Sequence, residues 1–224
     1  MICHNCYTPY YPTDDDIRRE HALPLAEVAY KDHDGEPLSS VSVQLAEGYS
    51  FQGRFHLPLS FKGYVAKSRC TDKLIIGFRG TDNFTNVVTD ITQYLVGASL
   101  VYKMALGLLL EIKAQYGDNL LIVGHSLGGG LMQFTVAGLN EPNVEGVGFN
   151  SAGLSDMAYK QVCFGDGRVI HFHLKSDQVF LIGHQFGKCC DLKKVVYNPI
   201  TAHSITTMRS LLDFDFPLPY CWIS

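Results

Sequence analysis

A chain of 224 residues with 46% hydrophobic and 18% charged residues can bury a sizeable core and is not a disordered segment. The formal net charge of -4, with no basic patch interleaved with aromatics, gives no reason to expect nucleic-acid binding. Seven cysteines, an odd number at irregular spacing, suit reduced thiols made in the cytosol better than a metal or redox site at Cys3 and Cys6.

Residues 1–20 mix Cys, His, Tyr and Pro with the run Asp14-Asp15-Asp16 and are expected to form an irregular arm. Cys3-x-x-Cys6 lies within it, and no second pair stands at zinc-finger spacing. No basic segment followed by an apolar one opens the chain, so no Sec signal peptide is expected, and export would need a specialised secretion system. Leu23 to Lys31 has helical spacing, with Pro24 near its first position. Asp32-His33-Asp34-Gly35 is a turn former before it is a metal site. Residues 36–60 carry little signal beyond loops and a short strand. Phe61 to Lys67 and Lys73 to Phe78 then form a hairpin, the second strand apolar enough to be covered on both faces. Arg79-Gly-Thr-Asp-Asn83 follows at that strand's end, and Arg79 is expected to pair with Asp90. Leu100 to Tyr116 is a long apolar helix ended by Gly117-Asp118 and holding too short an apolar run to span a bilayer.

The next stretch, Asn119-Leu-Leu-Ile-Val-Gly-His-Ser-Leu-Gly-Gly-Gly-Leu131, organises the rest. It predicts a buried strand, a turn and a helix running to about Leu139, with a G-x-S-x-G nucleophile elbow at Gly124 to Gly128. A serine at such a tip adopts strained backbone angles, and its glycine neighbours come too close to carry a Cβ. Further strands are expected at Val144 to Phe149, Arg168 to Lys175 and Lys193 to Tyr197, with a closing helix over 204–212 beginning at His203. In the 168–175 strand, Ile170, Phe172 and Leu174 share one face while Val169, His171 and His173 share the other. The two histidines have no third metal ligand nearby, so edge or partly buried positions are the simpler reading. Strands alternating with helices imply an α/β fold in one domain over 1–224.

An elbow serine needs a base and a carboxylate to orient it, and in hydrolases with this elbow the chain order is Ser, then Asp or Glu, then His. Asp177, directly after a strand, is preferred over Asp156, Asp166 and Asp191. His203 is preferred as the base, with His184 as runner-up. This chemistry calls for no metal and no cofactor.

These motifs resemble the class 3 lipase family, in particular its small bacterial Mbeg1-like branch. The resemblance rests on Gly63-Tyr-Val-Ala66, Gly77-Phe-Arg-Gly-Thr-Asp82 with Asn86 and Asp90, Ile122-Val-Gly-His-Ser-Leu-Gly-Gly129, Phe149-Asn-Ser151, Lys175-Ser-Asp-Gln-Val179 and Ala202-His203-Ser204. It covers roughly residues 60–205. Val87 stands where the family usually has Trp. The resemblance implies an α/β-hydrolase with a mostly parallel central sheet flanked by helices. It also implies an oxyanion hole at Thr81, joined by the backbone N–H of Leu127; Ile91 to Leu100 stands where the family carries a lid, and reads equally as a plain helix connector. The activity implied is a lipase or phospholipase A. The other readings are a soluble carboxylesterase or thioesterase, and a non-catalytic hydrolase-fold interaction protein. By analogy with small signal-less relatives, an exported antibacterial effector with a cognate inhibitor is a further expectation. The apolar stretch Phe214 to Ile223 is expected either to pack down or to touch a membrane or partner.

Overall fold

A computed structural model describes residues 22–31, 49–57, 61–68, 72–80, 99–162, 168–192 and 195–212. In chain order these form α1 (Ala22–Lys31), β1 (Tyr49–His56), β2 (Lys62–Ser68), β3 (Leu74–Phe78), α2 (Ser99–Tyr116), β4 (Leu120–His125), α3 (Leu127–Leu139), β5 (Val144–Phe149), α4 (Asp156–Val162), β6 (Val169–His173), β7 (Lys188–Asp191), α5 (Pro199–His203) and α6 (Ile205–Leu212). The expected 1–20 arm, the 32–35 turn, Asp90 and most of 91–100 lie outside the described residues.

The seven strands lie in chain order across one sheet. β1, β2 and β3 pair antiparallel, and β3 through β7 run parallel. Sequential order dictates where the helices go. Parallel crossovers are right-handed, so successive steps in one direction put α2, α3 and α4 on the same face. Leu74, Ile76, Phe78, Leu120 and Ile122 meet Val101, Leu109, Leu131 and Ala158 there. The opposite face is left to the chain ends: Ile75, Val123, Phe149, Ile170 and Phe172 pack against Leu23, Leu25 and Ala26 of α1 and Met208 of α6. Tyr64 Oη donates to the Leu25 carbonyl at 2.6 Å, and Arg209 reaches Glu27 at 2.7 Å. The alternation expected along 169–174 is the one observed.

Three elements differ from expectation. β1 is a full eight-residue strand, but it is a half-exposed edge with a register shift between Phe51 and Gly53, which blurs any alternation in the sequence. Among the described residues the last strand is Lys188–Asp191, and Val195 to Tyr197 of the expected Lys193 to Tyr197 strand lie in none. The β-branched Val195 and Val196 suggested a strand, yet Val195 and Tyr197 are exposed, while Cys190 is in the core. α4 is a helix where no element was expected. Its start is signalled by Ser155, whose Oγ accepts from Ala158 N at 3.2 Å, and by Asp156 in the first turn.

Candidate active site

β4 ends at His125 and α3 begins at Leu127, so one residue makes the whole turn. Ser126 holds φ 58° and ψ -129°, a backbone conformation that costs about 1–3 kcal/mol for a residue with a Cβ. Its surroundings offset that strain. The Ser126 N–H donates to the Phe149 carbonyl at 3.2 Å, and its own carbonyl accepts from Gly129, Gly130 and Ala152 N–H groups at 3.0, 3.3 and 2.9 Å. A Cβ on Gly124 would strike the Gly128 carbonyl, and one on Gly128 would strike the Phe78 carbonyl at the end of β3. The glycines therefore let the helix start seat directly on two strand ends.

His203 is the last residue of α5, a single turn capped by Asn198 Oδ1 with Pro199 at its first position. The Asn-Pro pair is thus a helix start, and the closing helix opens two residues after His203. His203 Nε2 lies 2.8 Å from Ser126 Oγ, and His203 Nδ1 lies 3.0 Å from Asp177 Oδ1. Asp177 follows the end of β6, and its two carboxylate oxygens accept from the N–H groups of Val179 and Phe180 at 3.1 and 3.3 Å. The carboxylate accepts, so Nδ1 carries the proton and Nε2 is free to accept from the serine hydroxyl. All three side chains are buried.

Two further residues hold this arrangement. Asn150, at φ 42° just past β5, donates from Nδ2 to the carbonyls of Ala202 and His203 at 2.9 and 3.3 Å. Its Oδ1 accepts from Leu174 N at 3.0 Å, so it ties the end of β6 to the end of α5, which bears His203. His125 donates from Nε2 to the His203 carbonyl at 2.7 Å, and its Nδ1 stands 2.7 Å from Tyr30 Oη. Burial chiefly, then the neighbouring His203 ring, pushes the pKa of His125 well below the usual histidine range. His171, on the fully covered side of β6, donates to the Phe186 carbonyl at 2.8 Å and meets Ser151 Oγ at 3.0 Å; burial pushes its pKa down to about 4. His173 is partly buried and stacks on Phe180 with centroids 3.6 Å apart.

Leu127 is the first residue of α3, where an N–H has no acceptor within the helix. Thr81, Asp166 and the 214–223 stretch lie outside the described residues. Arg79 is buried, its guanidinium 5.9 Å from the Tyr30 ring centroid. His184 is not brought to the serine; its Nε2 contacts Asp156 at 2.6 Å and its ring stacks on Tyr159. Asp191 is exposed at the end of β7. Tyr30, His125 and Asn150 were not singled out from sequence. Two of them stand inside motifs already noted, and nothing local marks Tyr30.

Comparison with known proteins identifies the family and the fold. The phospholipase-like family described as the Tle-like phospholipase domain matches residues 21–168. Over 95 residues the chain is 36% identical to an extracellular phospholipase A1 of Serratia liquefaciens; that match takes in 42% of this chain and 29% of the relative, so it spans under a third of the latter's length. The fold superimposes on Lip2 lipase of Yarrowia lipolytica with a TM-score of 0.62 at 15% identity, covering 88% of this chain and 85% of the lipase. It also superimposes on a lipase of Rhizopus microsporus var. chinensis with a TM-score of 0.54 at 18% identity, covering 75% and 69%. These matches bear out the class 3 lipase resemblance and the α/β-hydrolase fold; they do not name the Mbeg1-like branch.

Proposed function

Since the chain belongs to the Tle-like phospholipase domain family, we propose that it is a serine hydrolase of lipid esters, of lipase or phospholipase A type, with Ser126, His203 and Asp177 as its triad. The observation that carries this reading is the unbroken chain Asp177–His203–Ser126 at 3.0 and 2.8 Å, closed on a serine at positive φ. His203 Nε2 takes the hydroxyl proton as Oγ attacks the ester carbonyl. Asp177 fixes the tautomer and stabilises the imidazolium. The N–H of Leu127, joined by Thr81, receives the tetrahedral oxyanion, each such donor being worth about 2.7–4 kcal/mol. His203 then protonates the leaving alcohol, and water repeats the sequence on the acyl-enzyme, releasing the fatty acid.

A lipid substrate is supported by the family and by the Serratia relative, itself a phospholipase A1. Such a substrate brings the protein to a membrane surface. Export as an antibacterial effector held in check by an inhibitor protein is the cellular reading carried by analogy alone. Growth arrest on periplasmic expression, relieved by Ser126→Ala, tests it.

The enzymatic reading is tested by a fluorophosphonate probe followed by phospholipid, triacylglycerol and short-ester panels. Wild type should label and Ser126→Ala should not. Labelling of the mutant, or none of wild type, sinks the serine-hydrolase reading. Turnover of short soluble esters alone turns it into a carboxylesterase.

A further inference from the structure

The triad's base must keep two bonds at once, to Asp177 and to Ser126, so its backbone has to be held as firmly as its ring. His203 ends a five-residue helix, and the terminal carbonyls of a helix lack acceptor roles within it. We infer that Tyr30 and His125 form a positioning pair that clamps the His203 carbonyl, which makes helix α1 part of the catalytic scaffold. This rests on the reading of Ser126, His203 and Asp177 as the triad.

The geometry specifies the protons. A carbonyl can only accept, so the 2.7 Å contact to His203 O places a hydrogen on His125 Nε2. In a neutral ring Nδ1 is then bare, and it accepts from the Tyr30 hydroxyl at 2.7 Å. The Tyr30 hydroxyl thus satisfies the bare Nδ1 of the tautomer that holds His203. The His125 and His203 rings also pack, with centroids 4.9 Å apart and planes tilted by 36°, so the hydrogen bond and the ring contact join the same two residues. Tyr30 reaches further. A Cβ on Gly80 would meet the Tyr30 hydroxyl, the His125 carbonyl and Ser126 Cβ together. One tyrosine from the face opposite α3 thus touches the strand end that leads to Thr81, the residue before the nucleophile and, through His125, the base.

Three variants test the pair. His125→Leu keeps volume and loses the donor; His125→Gln supplies an amide donor near the position of Nε2; Tyr30→Phe removes only the hydroxyl. On a soluble p-nitrophenyl ester, His125→Leu should lose on the order of ten- to a hundredfold in kcat, with KM changed less than about twofold. His125→Gln should recover most of that, and Tyr30→Phe should lie between. The acid limb of kcat/KM, which reports the base in the free enzyme, should move in His125→Leu and return in His125→Gln. In parallel, 15N imidazole resonances of His203 need no turnover. The Nδ1–H signal should be protected in wild type and exchange-broadened in His125→Leu and Tyr30→Phe. Wild-type kcat, pH profile and His203 resonances in His125→Leu would overturn the inference, as would a Gln variant as impaired as Leu. If wild type neither labels nor turns over ester, the hydrolase reading fails, and the His203 resonances still decide the clamp.

Discussion

Two histidine–carboxylate pairs among the described residues look alike in sequence and differ in everything around them. His203 and Asp177 approach to 3.0 Å with side chains 2% and 0% exposed. His184 and Asp156 approach to 2.6 Å with side chains 49% and 81% exposed. Contact length alone would choose the wrong pair. Two properties separate them. The second ring nitrogen of His203 is aimed at Ser126 Oγ, whereas the ring of His184 stacks on Tyr159. The buried carboxylate also has two backbone N–H donors, so its charge is held in place where water does not screen it. A histidine–carboxylate contact becomes catalytic machinery when it is dry, oriented and has a third group to serve.

The widest split is in activity. His203→Ala and Asp177→Asn should each lower kcat by about 10⁴-fold or more on any ester the protein hydrolyses. His184→Ala and Asp156→Asn should stay within about twofold. Steady-state rates on one soluble ester measure all four. Comparable losses at both pairs would erase the distinction, and a larger loss at His184 would reverse it.

The strand–turn–helix at Gly124 to Gly128 was legible because its constraints are local: an apolar run, two obligatory glycines and a helix start. Asp177 and His203 were legible through chain order and strand ends. The rest needed the third dimension. His184 also lies on a loop after Asp177, and only the fold shows that it bridges Leu154 and faces Asp156 instead of Ser126. Tyr30 lies 95 positions from His125, and no periodicity or spacing connects them. β7 escaped because a four-residue Lys-Cys-Cys-Asp edge carries no β-branched residue, while the β-branched stretch beyond it is partly exposed loop. Long-range contacts of single side chains leave no trace in a pattern.

The burial that keeps side chains dry also destabilises the fold in acid. His125 and His171 are held neutral, with pKa values below the ordinary 6.5, His171 at about 4. Below pH 6.5 the unfolded chain takes up protons that the folded chain refuses, so stability present above that pH is lost as pH falls. Each such histidine contributes a slope of about 1.4 kcal/mol per pH unit between its unfolded and folded pKa. Urea midpoints of wild type at pH 7.5, 6 and 5 should fall steadily. A flat profile from 6.5 to 5 would mean that these rings are not dry.

Asn150 is a smaller lever on the same contrast. Asn150→Ala removes an acceptor for Leu174 N–H and a donor to the Ala202 and His203 carbonyls, and leaves an alanine at φ 42°. Unsatisfied buried groups cost about 1–3 kcal/mol each, so a loss of about 2–4 kcal/mol is expected by chemical denaturation. Activity should drop along with stability, since the same residue ties the base to the sheet. Full activity with lowered stability would show that the clamp from His125 suffices alone.

The least effect belongs to the surface pair. Asp156→Asn and His184→Ala should each change stability by less than about 0.5 kcal/mol, and added salt should erase even that. Solvation competes with the contact. Water holds either ion nearly as well as the partner does, and fixing two mobile side chains in one geometry cancels much of the attraction. Asp156 also sits in the first turn of α4, where a negative charge is favoured, so Asp156→Asn should cost slightly more than His184→Ala. Equal effects would assign the aspartate's worth to the ion pair, and a salt-insensitive loss above about 1 kcal/mol would mean that this pair, too, is drier than its exposure implies.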